Sequence, residues 1–252
     1  MKIQFASDLH LEFPENRSFL QQNPLVVEGD VLLLAGDIIP FVAMDKCKDF
    51  FSYVADHFKT TFWVPGNHEY YHFDIAKKCG AFVENIKSNV FLLNNTTIIL
   101  EEVRLIFSTL WSHISNANRW DIENGMNDFY VIKYEGNRFS SLQYNEQHKN
   151  AMLFLNNELS AGKNDTTVVI THHVPTFMNY PKKYKENALN EAFAVELFDF
   201  IEDKSPDYWI YGHTHSNTPE FNIGKTALKT NQLGYVKYNE QEAFSQNNII
   251  HI

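Results

Sequence analysis

Two cysteines, Cys47 and Cys79, are all the thiol this chain holds in its 252 residues. Each sits in a stretch that reads as helical, and two unpatterned thiols make no disulfide framework, so a reducing compartment is expected. Apolar runs are short. None approaches the ~18 residues of a membrane-spanning helix, and no membrane partner is expected. The opening Met1-Lys2-Ile3-Gln4-Phe5-Ala6-Ser7-Asp8 meets an acid before the apolar core of a signal peptide could form; a cytoplasmic location is the expectation. Positive charge is scarce, with 21 Lys and Arg against 31 Asp and Glu and a net charge of −10. Such a field repels polyanions and disfavours nucleic acid as a partner. The densest basic cluster, Lys182-Lys183-Tyr184-Lys185, is short and reads as a solvated loop. Repeats, low-complexity tracts and linkers are also missing, so residues 1–252 are read as one domain.

What is present is apolar and patterned. Hydrophobic residues make up 44 % and aromatics 15 % of the chain, enough for a continuous core. Ile3 to Ala6, Val31 to Ala35 and Phe62 to Val64 are short apolar runs that read as buried strands. Between the last two, Cys47, Phe50, Phe51, Val54 and Phe58 recur at helical spacing and form one apolar face. Ile75 to Ile86 carries a weaker helical pattern, broken at Gly80. Alternation of this kind points to an α/β fold built of βαβ units on parallel strands. Val90 to Leu93, Thr97 to Leu100 and Val103 to Leu110 lie close together and predict antiparallel strands, in a second sheet or an extension of the first. Residues 112–147 are polar and irregular and read as a long functional loop. Further on the pattern predicts a helix from about His148 to Leu159, a strand Thr167 to Thr171, a helix from about Leu189 to Ile201, a strand Tyr208 to Tyr211, and short strands after Lys225.

Polar clusters follow five of the strand-like runs: Asp8-Leu9-His10, Gly36-Asp37, Gly66-Asn67-His68-Glu69, Thr171-His172-His173 and Gly212-His213-Thr214-His215. Loops that follow parallel strands share one edge of the sheet, where ligands bind, so clusters far apart in sequence can converge. Asp8 with His10, and His213 with His215, are two residues apart; in extended backbone each pair would point the same way and reach one ion. Imidazole mixed with carboxylate suits Mn, Fe or Zn. Gly36 and Gly66 let the chain turn sharply where a ligand is presented. An isolated Asp-x-His or Gly-Asp is a common turn. The ordered set of five is not.

This order of motifs resembles the calcineurin-like metallophosphoesterase superfamily, whose pattern runs Asp-x-His, Gly-Asp-x-x-Asp, Gly-Asn-His-Glu/Asp, a His, and Gly-His-x-His. The resemblance spans residues 8 to 215 and is nearest to small bacterial-type members carrying a Ser-Asp-Leu-His-Leu-Glu-Phe stretch, here Ser7 to Phe13, and Gly-Asn-His-Glu-Tyr-Tyr, here Gly66 to Tyr71. It departs at Pro40, which stands where the pattern ends in Asp. The resemblance implies a two-sheet β-sandwich flanked by helices, with a dinuclear metal site at the strand ends. Carried over, Asp8, His10 and His215 would hold one ion, Asn67, His172 and His213 the other, and Asp37 would bridge them. A bridging hydroxide would attack phosphorus in line. His68 would stabilise the transition state or protonate the leaving oxygen, with Glu69 orienting its neighbours.

Periodicity cannot choose between His172 and His173, because a strand buried on both faces shows no alternation. Family members reading Thr-His-His before a Pro seat the first His on the metal, which here selects His172 and leaves His173 as a supporting or substrate-side group. Of the other histidines, His57 and His251 read as ordinary surface or packing residues, while His72, His113 and His148 are candidate cleft contacts. Trp111, Trp120, Phe177 and Tyr180 are candidate cleft walls, and residues 112–147 with 177–185 are expected to rim it. The activity expected is hydrolysis of a small phosphate ester, diester or monoester. A nuclease and a non-catalytic scaffold are the competing readings; the acidic balance counts against the first and the complete ligand set against the second.

Overall fold

In the computed structural model, which describes residues 1–161, 166–184 and 187–252, the apolar runs of the first half become parallel strands. These are β1 (Lys2–Ala6), β2 (Val31–Ala35) and β3 (Thr60–Val64). A hairpin of β4 (Phe82–Lys87) and β5 (Val90–Asn94) extends the sheet, β5 lying parallel to β3. The chain then crosses to a second sheet through β6 (Thr96–Leu100) and β7 (Val103–Ser108). A two-residue ladder of β8 (Lys133–Tyr134) and β9 (Asn137–Arg138) stands apart. The second sheet continues with β10 (Thr166–Thr171), β11 (Tyr208–Tyr211), β12 (Phe221–Ile223) and β13 (Thr226–Thr230). Finally β14 (Ile249–His251) returns to pair antiparallel with β1. The strand orders are β14-β1-β2-β3-β5-β4 and β12-β13-β11-β10-β7-β6. This is the two-sheet α/β sandwich that the sequence led one to expect.

Three apolar layers explain why the strands show no polar face. Ile3, Phe5, Val31, Leu33, Phe107, Val168 and Ile170 fill the space between the sheets. Their alternates Leu32, Leu34 and Trp63 pack outward against Leu20 of α1 (Pro14–Gln22) and Phe51 and Val54 of α2 (Lys48–His57). On the far side, Ile106, Val169, Trp209 and Leu228 meet helices introduced below. A side chain of this size taken wholly from water contributes roughly 2 kcal/mol.

Residues 112–147 are not one loop. They hold α3 (Arg119–Gly125), α4 (Asp128–Val131), the β8–β9 ladder and the start of α5 (Ser141–Ser160). Ile122, Phe129, Phe139 and Tyr144 bury themselves with Tyr70 and Trp111 in a fourth apolar cluster. Elements this short show no periodicity, which is why the sequence reads as irregular. The helix expected from His148 begins at Ser141, where Gln143 accepts the Ser140 N–H at 3.0 Å in capping-box manner. With α6 (Phe198–Lys204), α5 covers the second sheet.

Two expected helices are corrected. Over Ile75 to Ile86 there is one 3-10 turn, Ile75–Lys77, and then strand β4, so Cys79 lies outside any helix. Over Leu189 to Ile201 a 3-10 segment, Ala188–Ala192, is separated from α6 because the backbone is used sideways. Val195 N–H donates to Val174 at 3.0 Å and Val174 N–H donates to Phe193 at 3.1 Å, bonds a continuous helix would forbid. Lys185 of the basic cluster lies outside the described residues. Among the described residues no helix is long and apolar enough to cross a membrane.

Candidate metal centre

The polar clusters leave the carboxyl ends of β1, β2, β3, β10 and β11, and the parallel registers bring these ends to one edge of the sandwich. Their local backbone is not extended. Asp8, His10, Asp37, His213 and His215 have φ of 54°, 47°, 56°, 81° and 49°. These left-handed conformations cost of order 1–3 kcal/mol each for non-glycine residues and persist only where the surroundings impose them. The i, i+2 alignment expected of strand geometry is therefore corrected: the pairs converge through strained turns. Gly36 does turn through φ 86°, as expected. Gly66 serves a different need, since a Cβ there would lie 2.2 Å from Asp37 Oδ1 and 2.6 Å from His172 Nε2.

Besides the group His10, Glu12 and His68, the potential donors form two adjoining groups, Asp8, His10, Asp37 and His215 in one and Asp37, His172 and His213 in the other. Asp37 belongs to both. In the first, His10 Nε2 and His215 Nε2 are 2.8 Å apart and His215 Nε2 is 3.5 Å from Asp8 Oδ1. In the second, His172 Nε2 is 3.0 Å from His213 Nδ1, 3.3 Å from Asp37 Oδ2 and 3.3 Å from Asn67 Oδ1.

Tautomers follow from the opposite ring nitrogens. His10 Nδ1 lies 3.2 Å from Glu12 Oε1 and His215 Nδ1 lies 2.8 Å from Glu240 Oε2. His172 Nδ1 lies 2.9 Å from the Ala35 carbonyl and His213 Nε2 lies 3.2 Å from the Ala192 carbonyl. All four partners are acceptors, so these nitrogens carry the protons and the inner ones present lone pairs. Bare lone pairs at 2.8 and 3.0 Å repel unless a cation lies between them. The donor set thus fits divalent transition metals, and outer acceptors of this kind are what orient metal-binding imidazoles.

Charge reinforces the arrangement. Burial pulls the His10 and His213 rings below the usual imidazole range, towards the neutral form a ligand needs. His172 is the exception: burial opposes its charge, but the Asp37 carboxylate outweighs it and lifts the ring to about 9, so a metal at Nε2 must displace a proton there. Asp37 itself is buried, yet the histidines around it hold its carboxyl well below the usual range.

Around this core, Glu69 accepts N–H bonds from Ile38 at 2.7 Å, Gly66 at 2.6 Å, Asp37 at 3.0 Å and the Trp63 indole at 3.1 Å. It ties the β2 and β3 loops together, in keeping with an orienting role. His173 is wholly buried behind the site, its ring 4.3 Å from that of His213 and 5.3 Å from Trp111. It lies outside both donor groups and does not face the cleft, so of its two expected roles only the supporting one has geometry behind it. His68 Nδ1 donates to Glu12 Oε1 at 2.8 Å, and its Nε2 lies 3.3 Å from the Tyr235 hydroxyl.

Four participants escaped sequence reasoning. Asp128 accepts from Asn67 Nδ2 at 2.8 Å and so turns the amide oxygen inward. Glu12 and Glu240 hold ligand-side histidines, and Tyr235 packs 4.4 Å from His215 and 4.6 Å from His10, ring centre to ring centre. Only Glu12, two residues beyond His10, had a signal available in its motif.

A cleft of about 320 Å³ opens over Asp37, Asn67, His68, His213 and His215. Its walls include Met126 and Asn127 from the middle segment and Tyr180 and Tyr184 from the 177–185 stretch, as expected, but also Asn187, Asn190, Phe193 and Tyr235. Of the proposed aromatic walls only Tyr180 lines it; Trp111 is buried and Trp120 is exposed on the surface. His72, His113 and His148 do not reach it. His57 and His251 are exposed, as ordinary surface residues are.

A sandwich that brings carboxylates, imidazoles and an amide together at its parallel strand ends defines a metal-dependent hydrolase with a dinuclear type of site. The sequence profile of the calcineurin-like phosphoesterases matches residues 1–217, and the chain belongs to that family of phosphate-ester hydrolases. A relative from Acanthamoeba polyphaga mimivirus, an uncharacterized protein, is 32 % identical over 263 residues, covering 92 % of this chain and 91 % of its own. Among solved structures, phosphopantetheinyl hydrolase from Mycobacterium tuberculosis superposes with a TM-score of 0.70. The match covers 99 % of this chain and 95 % of that one at 14 % identity, a likeness of fold.

Proposed function

We propose that Asp8, His10 and His215 hold one divalent transition metal and Asn67, His172 and His213 a second, with Asp37 between them. The observation that carries this reading is the pair of facing ring nitrogens at 2.8 and 3.0 Å, whose outer partners leave them bare. Mn, Fe or Zn suits such donors. Two ions so held would supply Lewis acidity at the phosphoryl oxygens and would activate water for attack on phosphorus. The chain's own groups do the rest. His68 presents Nε2 beside the Tyr235 hydroxyl, where it meets the leaving oxygen and transfers a proton to it. Asp37, common to both donor groups, would hold the two ions together.

The substrate is a small ester with one phosphorus, diester or monoester. Among the described residues no lysine or arginine lines the cleft and Glu240 does, so it holds little attraction for a polyanion, although Lys183 lies behind it over the Tyr184 ring at 4.7 Å. Nucleic acid is disfavoured for the same reason. Tyr180, Tyr184, Phe193 and Tyr235 suit a planar or apolar alcohol portion, and Asn127, Asn187 and Asn190 offer it amide contacts. We take residues 1–252 to act as one domain, in the cytoplasm.

Metal-stripped protein refilled with Mn²⁺ is expected to hydrolyse an aryl phosphodiester or phosphomonoester and to leave an oligonucleotide largely intact. Asp37→Ala should lower metal content. His68→Ala should keep both ions and slow turnover by about 10²–10⁴. Absence of turnover with Mn, Fe, Zn and Mg, together with no bound metal by elemental analysis, would favour a scaffold; preference for the oligonucleotide would favour a nuclease.

A further inference from the structure

We infer that Glu12 is the positioning residue for His68, fixing which ring nitrogen faces the phosphate; this rests on the reading of His68 as the group that meets the leaving oxygen. The His68 ring stacks on Tyr71 with centroids 4.0 Å apart and planes at 26°. Stacking sets the plane of an imidazole but leaves it free to turn over by half a rotation, which would present carbon instead of Nε2 to the cleft. The bond from Nδ1 to Glu12 Oε1 at 2.8 Å removes that freedom. A carboxylate only accepts, so Nδ1 keeps its proton and Nε2 stays on the cleft side, 3.3 Å from the Tyr235 hydroxyl.

The backbone on either side of Glu12 is anchored, while its own Oε2 is buried without a hydrogen-bond partner. Glu12 lies between the turn of His10 and the start of α1, where Leu11 N–H donates to Ile38 at 2.8 Å, Phe13 N–H donates to His10 at 3.0 Å, and Arg17 Nη1 donates to the Leu11 carbonyl at 3.0 Å. Its side chain does not line the cleft, so it reaches substrate only through other groups. Two routes exist, because the same Oε1 lies 3.2 Å from Nδ1 of His10. The bond to His68 is the shorter by 0.4 Å, taking 3.2 less 2.8, and the structure assigns the main role to it.

A double-mutant cycle with the Mn²⁺-loaded full chain separates the routes. Glu12→Ala is expected to lower kcat by about 10–100-fold, the usual span for a supporting partner, with KM within about twofold. Alkyl esters, which need leaving-group protonation, should lose more than aryl esters. In a His68→Ala background the same substitution should cost under about twofold. Glu12→Asp, which keeps the charge but shortens the arm, gives the same pattern should the alanine variant fail to fold. A full loss that persists in the His68→Ala background overturns the inference and assigns Glu12 to His10 and its metal. If His68→Ala turns over as fast as the unaltered chain, the role of His68 itself fails, and the inference with it.

Discussion

Gly66 shows how little room the centre leaves at the scale of single residues. Its missing side chain is what allows Asp37 and His172 to approach, since a Cβ would sit 2.2 Å from Asp37 Oδ1 and 2.6 Å from His172 Nε2. Gly66→Ala is therefore expected to displace Asp37 and cost at least one ion per chain, measurable by elemental analysis of the purified variant. The two adjacent histidines make a second test. His172 Nε2 lies among the donors, whereas His173 packs behind them with its Nε2 buried and unpartnered. His172→Ala should deplete one of two ions. His173→Ala should leave both and lower the melting temperature, because a buried ring contacting Trp111 and His213 leaves a cavity. The reverse pattern of metal content would exchange the two roles.

Short elements do the orienting. The single turn of α4 brings Asp128 under Asn67, and the 3-10 segment Ala188–Ala192 presents the Ala192 carbonyl to His213. Neither element has enough length to register as a periodic pattern. Asp128→Ala frees the Asn67 amide to rotate, and metal affinity at the second position should fall by roughly 10–100-fold. A competition titration with a metal chelator measures this. Unchanged affinity would mean that the amide is held by the metal alone.

Across the whole molecule the centre lies on a seam. Asp8, His10, Asp37 and Asn67 follow strands of one sheet, while His172, His213 and His215 follow strands of the other. Ions bound there would join the two halves of the sandwich. At metal concentrations about 100 times Kd the linkage contributes about 2.7 kcal/mol, and a chain of this size gains roughly 2–4 °C per kcal/mol. Chelation should lower the melting temperature by about 5–10 °C and Mn²⁺ should restore it. Identical melting curves with and without chelator would show that no metal couples the sheets.

Much of this was legible in the chain itself. Val31–Ala35 and Tyr208–Tyr211 coincide with the runs read from sequence, because a strand buried on both faces is continuously apolar and abruptly bounded. The converging residues were legible too, since each polar cluster must leave the end of such a strand. Other features were decided only by tertiary structure. The left-handed backbone at Asp8, His10, Asp37, His213 and His215 has no local signal, because non-glycine residues take it only when surrounding contacts impose it. The latter part of Ile75 to Ile86 became a strand because β5 offered it a ladder, and the 189–201 segment broke because Val174 paired across it. Asp128, Glu240 and Tyr235 reach the centre from elements unrelated to any motif. A ligand's identity is written in residue type and spacing, but its orientation depends on whichever distant chain segment packs behind it.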